Sequence, residues 1–398
     1  MSNYDVIVIG GGVSGLVFAE HASAQGRRVL VLEKAGRVGG CLDSWEAAPG
    51  FFVEMAAHTA YNSYGDLLRI LEQRGRLDEL LRREKLGYHF LKQGGLQSPM
   101  ARLSFPQLLL RLPFGLFKDK TGASLRDYYG ALLGPANYAR VLGPAFAAVL
   151  SQPCDDFPAQ WLFRRKPRLK AAPRKYSWAS GLQGLLAAVV QDASFEVRAA
   201  TEARAITRSG EDYAVDLGGE ILTCGCLAMA TPPDAAAALL AGVHAGTARI
   251  LEQFPMADIE SVAVTLARDK TRLPPLAGLI GVDDAFYSVV SRDPVPHETL
   301  RAFTFHFRPG RYSTDAKLRR MAEVLGCAPG DFAARHERIS RLPSLDTRHP
   351  ALAAKLDAEC AGRNLALIGN YFQGMSIGDC AERAVEEAQR LFSQGVHA

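Results

Sequence analysis

No stretch of this 398-residue chain reaches the roughly 18 consecutive apolar residues of a membrane span. A transmembrane helix is therefore not expected. The apolar run Asp5–Ile9 is too short for a signal peptide and is followed at once by glycines. Excess charge of one sign is also missing. The formal net charge is only +4, too mild to argue for a nucleic-acid partner. Cysteine is sparse, odd in number and scattered, with seven in all. Cys224 and Cys226 make a CxC pair, not the CxxC of a zinc or redox site, so no metal site is expected. Buried, reduced thiols in a reducing compartment are the simplest reading. No internal repeat or low-complexity tract is present. The expected location is cytoplasmic, at most peripheral to a membrane.

What is present is ordinary globular material, 48% hydrophobic and 22% charged, enough for two domains or one composite unit. The first pattern carries chemistry. Tyr4–Ile9 reads as a buried strand. Gly10, Gly12 and Gly15 follow, then a helical stretch over Leu16–Ala24 closed by Gly26. A second apolar run, Val29–Leu32, ends in Glu33. In this strand–turn–helix–strand setting a GxGxxG turn becomes informative. Gly10 permits the tight turn, Gly12 lets a pyrophosphate approach the backbone, and Gly15 lets the helix pack closely on the strand. Val13 and Ser14 lie in the same turn, and the helix after it offers free N–H groups and a positive dipole end to phosphate. Glu33 is placed to accept hydrogen bonds from ribose hydroxyls and to repel a 2′-phosphate, which disfavours NADP.

The residues after Glu33 narrow the cofactor. Glu33-Lys34-Ala35-Gly36-Arg37-Val38-Gly39-Gly40 resembles the second FAD element of the amine oxidase, phytoene desaturase and protoporphyrinogen oxidase superfamily. The resemblance implies that Gly39 and Gly40 bring backbone near the flavin phosphates, with Lys34 and Arg37 near the adenosine half. Phe52–His58 is similar to the segment passing the flavin ring, with Ala56 and Ala57 where the family has a Gly pair. Ala203, beside a hairpin expected over Thr201–Ile206 and Tyr213–Leu217, matches the position touching adenine. The C-terminal run Leu365–Cys380 is similar to the last FAD motif of protoporphyrinogen oxidases. It brings Gly369, Asn370, Gly374, Met375, Ser376 and Ile377 to the cofactor. A helix is expected from about Ile377, with Ala381, Ala384, Val385, Ala388 and Leu391 on its apolar face. The fold class implied is α/β. A discontinuous FAD-binding Rossmann-type domain (1–90, 180–245 and 345–398) would carry a second, α+β substrate domain (91–179 and 246–344).

Signals on the substrate side are fainter. Ser124–Tyr129 and Tyr176–Leu185 also resemble protoporphyrinogen oxidase segments. The basic run Arg164, Arg165, Lys166, Arg168, Lys170, Arg174 and Lys175 has two readings. It is a site for the carboxylates of a tetrapyrrole or a solvated surface. The apolar stretch 103–117, flanked by Lys118 and Lys120, is a peripheral membrane patch or a core helix. His58 is the candidate catalytic group. Asn370, Tyr371, Phe305, His306 and Phe307 are candidate lining residues. The activity implied is hydride transfer from a small hydrophobic substrate to FAD, with reoxidation by oxygen or another acceptor. Amine oxidation, carotenoid-type desaturation, a redox-neutral flavin isomerase or mutase, and a non-catalytic flavin-binding protein remain alternatives.

Overall fold

Val6–Ile9 form an unbroken apolar series, the pattern of a strand covered on both faces. In the computed structural model, which describes residues 3–115 and 118–392, they lie in the strand Tyr4–Ile9 within a seven-stranded sheet. Its parallel neighbours are Val29–Leu32 and Ile221–Met229. Glu196–Arg198 extends the sheet beyond Val29–Leu32. Leu365–Leu367 also pairs in parallel with Ile221–Met229. The hairpin Ala205–Ser209 and Asp212–Asp216 continues the sheet antiparallel. Both ends of the chain and its middle thus share one sheet. The hairpin starts later than the sequence suggests. The strand Glu196–Arg198 goes unread because three residues, two of them charged, show no periodicity.

The helix Val13–Ser23 covers this sheet with Leu16, Val17, Phe18 and Ala19 fully buried. The terminal helix Ile377–Phe392 packs against it, burying Ala381, Ala384, Val385 and Ala388. A serine caps that helix. Asp379 N–H donates to Ser376 Oγ at 3.1 Å, and Ser376 N–H donates to Asp379 Oδ2 at 3.1 Å. This is a reciprocal capping box. The residues expected from 393 to 398 lie outside the described residues.

A second seven-stranded sheet runs in the order Ala334–Pro343, Met256–Ala267, Leu300–Phe307, Phe286–Ser291, Gly278–Gly281, Tyr88–Lys92 and Gly95–Gln97. Tyr88–Lys92, which straddles the boundary expected at residue 90, belongs here. Phe303, Phe305 and Phe307 pack with Phe286, Met321 and Leu325. Thr304 and His306 alternate to the opposite face, as period-2 geometry requires. That face meets the first half of the molecule, where Thr304 Oγ1 donates to the Glu54 carbonyl at 2.8 Å.

Phe105–Gly115 is a helix with Phe105, Leu109 and Leu110 exposed, Leu109 by 74%. At these positions the core-helix reading of 103–117 fails, because the apolar side chains face outward. Residues 116 and 117 of that stretch lie outside the described residues. No described helix is long and apolar enough to cross a membrane.

The seat of the first helix allows a direct test. A β-carbon on Gly15 would lie 1.9 Å from the Gly10 carbonyl oxygen. Both partners are backbone, so Gly15→Ala must shift the helix. We expect a loss of about 1–3 kcal/mol or more, read as a lowered urea midpoint with an unchanged m-value.

Candidate active site

Two arrangements stand out, one at the first glycine turn and one where the second sheet meets Phe52–Glu54, Arg83 and Ser177–Trp178. At the turn, Gly10 has φ +111°, a conformation L side chains rarely adopt. Gly12 is the N-cap of Val13–Ser23, and no side chain caps that helix. Its first N–H groups are therefore available to an external acceptor. A β-carbon on Gly12 would meet only Gly40 Cα, at 3.8 Å, so the space above the turn is open. Gly39 N–H donates to the Gly11 carbonyl at 2.8 Å, which fastens the second glycine pair to the first turn. A backbone cradle with an uncapped helix end fits the diphosphate of a dinucleotide.

The terminal helix reaches the same place. Ser14 Oγ donates to the Cys380 carbonyl at 3.3 Å. Gly369 and Gly374 turn the chain toward it with φ +153° and +136°. Asn370, Met375 and Ser376 are half-buried, and Ile377 is buried. Ala56, Ala57 and Ala203 are half-buried to buried. Glu33 is buried and accepts from Gly11 N–H and Ala35 N–H, both at 2.8 Å. Each oxygen keeps a lone pair for a ribose hydroxyl. Arg37 is bound within its own loop, to the Leu42 carbonyl at 2.9 Å and Asp43 at 3.1 Å. Lys34 is exposed.

Against the second sheet lies a small, partly open cavity of about 20 Å³, lined in part by Glu54, His58, Arg83, Trp178, Arg292 and Thr304. His58 Nε2 stands 2.9 Å from His306 Nε2, and His306 Nδ1 stands 2.9 Å from Ser261 Oγ. Burial, followed by the His306 and Arg83 charges, holds His58 well below the usual histidine range. Burial brings His306 down to about 4. Both rings are neutral near pH 7. One Nε2 therefore donates and the other accepts, and a proton on the pair can shift along Ser261–His306–His58. Burial also pushes the Glu54 carboxyl up to about 7, against hydrogen bonds from Ser44 and the Leu182 N–H. Those bonds are 2.6 and 2.7 Å long. Arg292 is committed to the Phe52 carbonyl at 2.7 Å and also bonds the Val295 carbonyl.

Several sequence expectations are corrected here. Tyr371 is fully buried against Phe254 and Phe372 in the core of the first sheet, so it does not line the cavity. Phe305 and Phe307 also face the core. In the basic run, Arg164 pairs with Glu382 at 2.9 Å and Lys166 with Asp379 at 2.6 Å. These two cations are spent on the terminal helix, where the Asp379 carboxylate needs a counter-charge. Arg83 is a cavity residue that sequence reasoning passed over, hidden in the charged run Arg82-Arg83-Glu84-Lys85. Glu54 entered it only as part of the Phe52–His58 segment, with no role of its own.

Comparison with known proteins agrees with the geometry. Residues 8–74 match the model of the NAD(P)-binding Rossmann-like domain. Over the full length the structure superposes on a candidate protoporphyrinogen oxidase from Exiguobacterium sp. 255-15 (TM-score 0.78, 18% identity, 99% of this chain and 100% of that one). Cyclohexylamine oxidase from Brevibacterium oxydans IH-35A also superposes (TM-score 0.70, 15% identity, 98% of each chain). The chain has the amine oxidase fold. A fatty acid isomerase from P. acnes shares this amine oxidase fold (TM-score 0.76, 15% identity, 98% of this chain and 99% of that one). A probable zeta-carotene desaturase from Synechococcus elongatus is 29% identical over 90 residues, 23% of this chain and only 18% of that protein. The zeta-carotene desaturase of Synechocystis sp. matches to the same extent.

The Glu54 environment predicts a pH dependence of stability. Its carboxyl titrates higher when folded than when unfolded, so the unfolded chain loses its proton first. The contribution is complete below the unfolded value near 4.5 and is lost as pH rises through about 7. Glu54→Gln should remove this loss. Wild type should weaken by roughly 3 kcal/mol relative to the variant between pH 4.5 and 8, measured by urea unfolding at each pH.

Proposed function

We propose that the chain is an FAD-dependent oxidoreductase of protoporphyrinogen oxidase type. FAD would rest on Gly10, Gly12, Val13, Ser14 and Gly15 at the phosphates, with Glu33 at the ribose and Gly369–Ile377 toward the flavin end. Bound there, FAD supplies the hydride acceptor for a substrate C–H, with reoxidation by oxygen or another acceptor. The substrate unit in this reading is 91–179 with 246–344. Phe105, Leu109 and Leu110 would make any peripheral contact with a membrane.

The observation that carries the choice among relatives is the charge of the cavity against the second sheet. Arg83 and Arg292 face it, the Glu54 carboxyl is half-neutral near pH 7, and both histidines are uncharged. Such a cavity repels a cationic amine and suits a substrate that is neutral at the reacting carbon. His58 is the group placed to take a proton from a substrate N–H as the adjoining C–H is oxidised. His306 positions it and passes the proton on toward Ser261. Trp178 and Phe52 wall the space and limit water.

Anaerobic bleaching of the bound flavin tests the reading. A porphyrinogen should bleach it within minutes, while putrescine or cyclohexylamine should not. Bleaching by the amines alone would overturn the proposal. Turnover without net electron consumption would point instead to an isomerase. Gly12→Val should abolish the yellow colour of the purified protein while leaving the urea midpoint of the flavin-free protein nearly unchanged. His306→Asn removes a neighbour that lowers the His58 value. The acid limb of the bleaching rate should therefore move to higher pH, while the rate above pH 8 falls on the order of tenfold.

A further inference from the structure

Two arginines share one acid beside the glycine turn. Arg37 lies 3.1 Å from Asp43 and also bonds the Leu42 carbonyl. Arg338, half-buried on the edge strand Ala334–Pro343, pairs with the same Asp43 and donates to the Gly40 carbonyl at 3.1 Å. The other acid near Arg37 is Glu33, which accepts from the Gly11 and Ala35 N–H groups. One carboxylate between two guanidinium groups leaves a positive charge over at the loop.

That charge sits next to the phosphate cradle. A β-carbon on Gly40 would come within 3.2 Å of Gly12 Cα, so Gly40 lies directly over the open helix end. The guanidinium on the Gly40 carbonyl is one peptide unit away from it. The helix end by itself offers only about half a positive charge, whereas a dinucleotide carries a negative charge on each phosphate. Arg338 is also fixed in direction. It pairs in register with Ser261, and Ser261 pairs with His306, so the three side chains stand on one face in one row. The row that carries the histidine pair thus ends at the glycine loop, two strands away.

We propose that Arg338 is a cofactor-positioning residue, whose charge acts across the Gly40 peptide to hold the diphosphate of the bound dinucleotide. The assignment rests on the reading of the glycine turn as the FAD site. It adds to the backbone cradle a cation that comes from the second sheet.

Release of FAD from the diluted, purified protein tests this, read by the rise in flavin fluorescence. The readout is binding, so no turnover is needed. Arg338→Gln keeps a donor for the Gly40 carbonyl and removes the charge. It should raise the FAD dissociation constant about tenfold at low salt. The gap to wild type should narrow as NaCl is raised from about 20 to about 500 mM. Arg338→Lys keeps the charge and should stay within about threefold of wild type. Asp43→Asn frees both arginines and should hold FAD at least as tightly as wild type. A gap that salt does not narrow, with equal weakening in Arg338→Lys and Asp43→Asn, would show a mere brace and overturn the proposal. Equal FAD release from Arg338→Gln and wild type would overturn it and leave the FAD reading intact. A wild type that retains no FAD would overturn both.

Discussion

The close backbone contact between Gly10 and Gly15 governs the rest of the architecture. With no side chain at either position, the first helix sits directly on the exit of the first strand. That seat points the free helix end at the Gly39–Gly40 loop and sets where a phosphate can rest. It also sets the space into which the terminal helix comes, meeting Ser14 through the Cys380 carbonyl. Without this contact the three distant parts of the chain would share a sheet but not a binding surface.

The cavity against the second sheet follows a different logic. Its polar groups are half-buried or buried, so desolvation favours those that are neutral or paired. The histidines are neutral, Glu54 is hydrogen-bonded and partly protonated, and Arg292 is tied to carbonyls. Half-buried Arg83 adds a second guanidinium to the lining. Two neutral histidines, one half-neutral acid and two arginines give the cavity a positive character.

Sequence patterns made the first sheet legible because its signals are local. Glycine spacing, the apolar run before it and Glu33 after it all lie within one strand–turn–helix–strand unit. The terminal helix was legible through the spacing of Ala381, Ala384 and Val385. The cavity was not, because its members come from five separate stretches and none looks unusual alone. His58 drew notice only by resemblance, and His306 only as one of an alternating run. Nothing in the sequence said that they face each other. Tyr371 misled because a tyrosine beside a motif looks like a lining residue, whereas its ring fills the core next to Phe254. The basic run kept two readings because composition records cations and not their partners: Arg164 and Lys166 are paired, and the other five are exposed.

Arg338 adds a further consequence. It projects from the edge strand Ala334–Pro343 of the second sheet, donates to the Gly40 carbonyl at 3.1 Å and also pairs with Asp43. A side chain from one half of the molecule thereby braces the glycine loop of the other. Positions some three hundred residues apart thus meet at one loop, so a truncation within the last strand of the second sheet would remove a contact at the far end of the polypeptide.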